Sequence, residues 1–136
     1  NVAAVENRTY DLLSVAAAAI VTSGTATLET ALFKVPEVVC YKGSNISYQI
    51  AKRLISIKFI SLVNLIMDRL VVKELIQHQM TSQNIVAELQ KLLADEASKT
   101  QMRNDYEALH RLLMSEGNPS EKAATLILKL VERKKQ

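Results

Sequence analysis

The chain reads as α/β: a partial parallel sheet followed by a helical C-terminal segment. Three observations predict this. Short, uncharged, β-branched runs alternate with amphipathic stretches in the first half, which argues for parallel strands joined by right-handed crossover helices. Everything from Ser82 onward has helical periodicity. The length of 136 residues at 49% hydrophobic suffices for one buried core.

The elements follow in order. "NVAAVE" reads as a short strand, and "RTYDLLSVAA" as a helix with Leu12, Leu13, Val15 and Ala16 apolar. "AAIVT" is a buried strand. "TATLETALFK" places Leu28, Ala31, Leu32 and Val35 on one helical stripe before Pro36. "EVVCY" is the next buried strand. "ISYQIAKRLI" is a helix with Ile46, Ile50 and Leu54 at four-residue spacing. "FISLVNLIM" and "LVVKELIQ" are short apolar stretches joined by charge. Then come "NIVAELQKLLAD", with Ile85, Leu89, Leu92 and Leu93, and "QMRNDYEALHRLLM", with Met102, Tyr106, Leu109 and Leu113. Gly117 can end that helix and Ser120 can cap a last one. The expected division is 1–80 for the sheet region and 81–136 for the C-terminal helices.

Composition excludes several classes. A net charge of +3, with four Tyr and two Phe, is a weak basis for nucleic-acid binding. The single cysteine, Cys40, lies in an apolar run and fits a reduced compartment, as a small buried hydrophobe rather than a nucleophile. His78 and His110 have no ligand-spaced partners, so no metal is expected. No apolar run reaches the roughly eighteen residues of a membrane span. Lys52-Arg53 and Arg133-Lys134-Lys135 read as solvated charge, or as a contact with anionic lipid.

The specific stretch is "VTSGTATLETALFKVPEVVCYK". Ligands of open α/β sheets sit beyond the carboxyl ends of the strands. Ser23-Gly24-Thr25 stands at such an end. Gly24 permits close approach to the backbone, and the following helix offers free N–H groups to a phosphate. The plainer reading is a capping Ser or Thr beside a turn glycine. Glu29 weighs against it, because a capping-box carboxylate sits three residues after the cap and neither Ser23 nor Thr25 has one there. A carboxylate near a phosphate turn suits the vicinal hydroxyls of a ribose.

Together with "AKRLI", "FISLVNLI" and "VVKELIQ", this stretch resembles the C-terminal part of the lipid-A-disaccharide synthases. These are inverting glycosyltransferases with two Rossmann-like domains (the GT-B type). The S-G-T-x-x-x-E element is shared with other sugar-nucleotide enzymes; its combination with S-L-x-N-L and E-L-x-Q is more specific. Val63 replaces the family's usual Pro, and Met67-Asp68 its usual Ala-Gly.

The resemblance implies a partial Rossmann-like nucleotide-binding domain and a metal-free, cofactor-free reaction. Its donor is UDP-2,3-diacylglucosamine, its acceptor 2,3-diacylglucosamine 1-phosphate (lipid X), and its product lipid A disaccharide 1-phosphate. It further implies donor contacts at Ser23, Gly24, Thr25, Glu29, Asn64 and Gln77, with Glu6 and Asn7 toward the uracil. The setting it implies is the cytoplasm at the inner face of the inner membrane. The chain is short of the family's length. Catalytic residues are accordingly expected in an acceptor-binding domain outside it, with these 136 residues inactive alone. A raw parallel-sheet edge and Leu/Ile-rich tail helices lead to an expected homo-oligomer, by isologous pairing or exchange of the C-terminal helices. Two other classes stay open: a fragment of another UDP-sugar enzyme of the same type, and a non-catalytic α/β interaction module.

Overall fold

The computed structural model describes residues 2–44, 58–115 and 124. Its elements are α1 (Thr9–Val15), β1 (Ala19–Thr22), α2 (Thr25–Leu32), β2 (Glu37–Tyr41), α3 (Leu62–Met67), β3 (Lys73–Ile76), a 3-10 turn (Gln77–Gln79), α4 (Ser82–Ala94) and α5 (Glu96–Ser115). The strands form a parallel sheet in the order β1-β2-β3. Thr22 pairs with Cys40, and Tyr41 with Ile76, so all three carboxyl ends share one edge.

β2 is the central strand and its run from Glu37 to Cys40 is buried throughout, as a strand covered on both faces must be. α2 packs on β1 and β2, α4 on β2 and β3, and α5 on α2, α3 and α4. One core therefore joins Val38, Val39, Val63, Val72 and Leu75 to Leu92, Met102, Tyr106 and Leu109 of the C-terminal helices. Local signals set the ends of the elements. The Ser61 hydroxyl caps α3 by accepting from Asn64 N, and the Thr81 hydroxyl caps α4 by accepting from Asn84 N. Arg69, just past α3, makes a bidentate ion pair with Asp105 of α5 at 2.7 and 3.0 Å, which fixes the two helices against each other.

Several expectations are corrected. Residues 2–6 form no strand: nothing among the described residues pairs with them, and Val2 and Val5 stay exposed. A strand without a ladder leaves its backbone polar groups to water, so the apolar alternation has nothing to pay into. α1 forms where expected but buries no residue; Leu12 and Val15 face solvent. On α2, Leu32 is exposed while Thr27 and Thr30 are buried. Their hydroxyls donate to the carbonyls of Gly24 and Ala26 at 2.8 Å each, which lets two polar side chains pass as apolar ones. "FISLVNLIM" contains α3 and "LVVKELIQ" contains β3. The expected helix over "ISYQIAKRLI", the Gly117 stop, the Ser120 cap and the Lys52-Arg53 and Arg133–Lys135 charges lie outside the described residues.

Candidate functional site

The turn after β1 is built by its neighbours. Ser23 continues the β1-β2 ladder, its N–H donating to Cys40 O at 3.1 Å. Its hydroxyl turns the other way and donates to Ile60 O at 2.9 Å. The Ser23 side chain therefore does not cap α2, and no other side chain among the described residues does. Gly24 occupies that cap position at φ 155°, ψ −163°, a region open essentially to glycine alone. Among the described residues a Cβ placed on it would meet nothing within 4 Å, which leaves the space beside the backbone open there. An uncapped helix start, a glycine and empty space at the carboxyl edge of a parallel sheet together form an anion-accepting arrangement.

One turn into α2, Glu29 is half-buried and lines an open cleft of about 370 Å³ with Asn7, Arg8, Thr9, Tyr10 and Asp11. Two residues singled out from sequence, Asn7 and Glu29, thus meet in one cleft. Asn7 reaches it in the left-handed conformation, at φ 57°, which Asn tolerates better than most residues. The Arg8 guanidinium is held to Asp11 at 2.7 Å. Glu6 is exposed next to this cleft in sequence but is not part of its wall.

Gln77 lies at the same sheet edge, directly after β3 and in the left-handed region at φ 52°. Its Oε1 accepts from Gly43 N at 3.1 Å, tying the ends of β2 and β3 together. Its Nε2 is buried with no partner among the described residues. Asn64 is different. It is fully buried, and its amide makes four hydrogen bonds. Nδ2 donates to Val72 O and Glu74 Oε1 at 2.8 Å each, while Oδ1 accepts from Val71 N and Val72 N at 2.7 and 2.9 Å. That side chain has no valence left for a ligand.

Sequence reading missed two carboxylates. Glu74, buried on β3, accepts from Ile60 N, Ser61 N and Asn64 Nδ2. Its signal was present in the E-L-x-Q segment, but its partners are 10 to 14 residues away. Glu37 opens β2 with no exposed surface and, among the described residues, no hydrogen-bond partner for either oxygen. Burial pushes its carboxyl up to about 9, and the neighbouring Tyr106 hydroxyl draws it only part of the way back. Burial, together with the Glu37 charge, pushes the Tyr106 hydroxyl up as well. Cys40 is buried and its thiol is pushed up by desolvation, the opposite of an activated nucleophile. Among the described residues no cluster of His, Cys, Asp and Glu could hold a metal ion, and no helix is long and apolar enough to cross a membrane.

A parallel α/β unit offers its ligand crevice beyond the carboxyl ends of its strands, and an open helix start stands at that edge here. Comparison with known proteins makes this specific. The family model described as lipid-A-disaccharide synthetase matches residues 1–129, and the chain belongs to that family, glycosyltransferases of lipid A biosynthesis. The lipid-A-disaccharide synthase of Pseudomonas aeruginosa (strain PAO1) is 40% identical over 129 residues, covering 95% of this chain and 33% of that protein. The enzyme of the same name from Psychromonas ingrahamii is 43% identical over 124 residues, 91% of this chain and 32% of its own. That from Acidobacterium capsulatum is 44% identical over 103 residues, 76% and 26%. The chain spans about a third of the length of the first two.

Proposed function

We propose that this chain carries donor-nucleotide contacts of a lipid-A-disaccharide synthase. The whole enzyme would transfer 2,3-diacylglucosamine from UDP-2,3-diacylglucosamine to lipid X and release UDP. In this reading the amides of Gly24 and Thr25, at the positive end of α2, take the diphosphate. Charge that builds on the leaving group then meets dipoles already in place, so the transition state gains more than the ground state. Glu29 accepts from the ribose hydroxyls, and Asn7, with Glu6 beside it, lies toward the base. The unpartnered Gln77 Nε2 donates to the diphosphate or the donor sugar. Asn64 serves the site at one remove, by holding the segment after α3. The reaction calls for no metal or cofactor. Lipid X, the general base and contact with the membrane surface belong to the whole enzyme.

The observation that carries this reading is the meeting of Asn7 and Glu29 in one open cleft, on the helix whose start is uncapped. Titration of UDP into the wild-type chain and Glu29→Ala tests it. Loss of a charged hydrogen-bond acceptor should weaken binding by roughly 1.5–3 kcal/mol. Equal affinity in the two would remove Glu29 from the ribose.

A further inference from the structure

We infer that Glu74 is a positioning residue for the Ser23–Thr25 turn, acting through the Ile60–Ser61 backbone without touching a ligand. The UDP arm of the argument rests on the nucleotide-binding reading above; the mechanical arm does not.

The Ile60 peptide is clamped from two directions. Its N–H donates to Glu74 Oε2 at 3.0 Å, and the following N–H, of Ser61, donates to Oε1 at 3.0 Å. Its C=O accepts the Ser23 hydroxyl at 2.9 Å. Asn64 closes the far side by donating to Glu74 Oε1 at 2.8 Å. Three of these hydrogen bonds connect a buried carboxylate on β3 to the hydroxyl at the end of β1, across β2 and with no direct contact.

The consequence lies in what Ser23 is prevented from doing. A serine hydroxyl can accept from the N–H two residues on, here that of Thr25, as in an ST-turn. Here the hydroxyl is engaged as a donor to Ile60 O, and Gly24 has no side chain to offer. Among the described residues no side chain takes the first amides of α2, which leaves them for an outside anion. Without Glu74 the Ile60 carbonyl loses its clamp, and the Ser23 hydroxyl becomes free to leave it and fold back onto the Thr25 N–H. Glu74 then keeps the anion site vacant by holding its competitor away.

The test is a double-mutant cycle on the 136-residue chain with Ser23→Ala and Glu74→Gln, read in two ways. The first readout is amide hydrogen exchange in the free protein, referenced to Val38, whose complete burial reports global opening. Ser23→Ala should raise Ile60 and Ser61 exchange roughly tenfold over that reference, although it removes no partner of either N–H. Unchanged exchange at both amides would overturn the relay, and this arm stands even if Glu74→Gln does not fold.

The second readout is the UDP dissociation constant. Glu74→Gln should weaken binding about tenfold, because the freed Ser23 hydroxyl competes for the amides. The double variant, which has no hydroxyl to compete, should recover most of that loss. A merely structural role predicts no recovery, and additive losses would refute the competitor mechanism. If the wild type fails to bind UDP, the nucleotide reading falls while the exchange readout still decides the relay.

Discussion

The Asn64 amide nitrogen stands 2.8 Å from Glu74 Oε1, and the rest of that amide is engaged by the backbone of Val71 and Val72. This buried pair joins α3 to β3. Asn64→Asp removes two donated hydrogen bonds and brings a second carboxylate against the first. The expected cost is at least about 3 kcal/mol, since buried acceptors are left unpaired and like charges adjoin. Urea unfolding of wild type and variant measures it. A difference below about 0.5 kcal/mol, the range of an inert surface change, would mean the pair is not a support.

Gly24→Ala separates strain from collision. The backbone angle φ 155° disfavours any side chain, yet a Cβ would meet no atom of the described residues within 4 Å. Stability should fall by about 1–3 kcal/mol, the usual cost of such a conformation, or the turn should move. Either outcome should weaken UDP binding. Thermal denaturation and a UDP titration that both match wild type would contradict the geometry.

Glu37 should make stability depend on pH. Its carboxyl rises from 4.5 to about 9 on folding. The folded chain therefore holds a proton that the unfolded chain gives up, and stability falls as pH rises. The contribution is complete below pH 4.5, declines through the window and is gone above about 9. A titratable neighbour is Tyr106, itself pushed up, and Lys73, Glu88, Lys91 and Asp105 line the same cavity as Glu37. Glu37→Gln keeps the shape and removes the titration, so its unfolding midpoint should decline less across this window. Parallel slopes in wild type and variant would assign the pH dependence elsewhere.

The 136-residue chain should make no disaccharide from UDP-2,3-diacylglucosamine and lipid X, because it spans only about a third of the relatives whose name describes that activity. Turnover by the purified chain, free of host enzyme, would refute this.

Self-association is the last expectation. β1 pairs only with β2 among the described residues, and Ile20 on it is 53% exposed. Tyr10, Leu12, Val15, Leu32 and Phe33 add exposed apolar surface on α1 and at the α2 end, with the Tyr10 and Phe33 rings stacked at 5.4 Å. An open edge beside apolar side chains favours a second copy. Sedimentation equilibrium should give a mass above 15.1 kDa that grows with concentration. A constant 15.1 kDa would show that the chain covers this surface itself.

The local features are legible in the order of the residues. β1, α2 and β2 follow from β-branched runs, a glycine turn and a proline stop within some twenty residues. The buried stripe of α5, Met102, Tyr106 and Leu109 with Leu113 packed beside it, follows from helical spacing alone. The pattern is local, so reading it requires no knowledge of distant partners. Which patterned residues are covered depends on the folded chain. It left residues 2–6 without a strand, exposed Leu12 and Leu32, and buried Thr27, Thr30 and Asn64. It also joined Ser23 to Ile60 and Glu74 to Asn64. Burial and hydrogen-bond satisfaction depend on a second surface brought from elsewhere in the chain, and periodicity describes only one of the two.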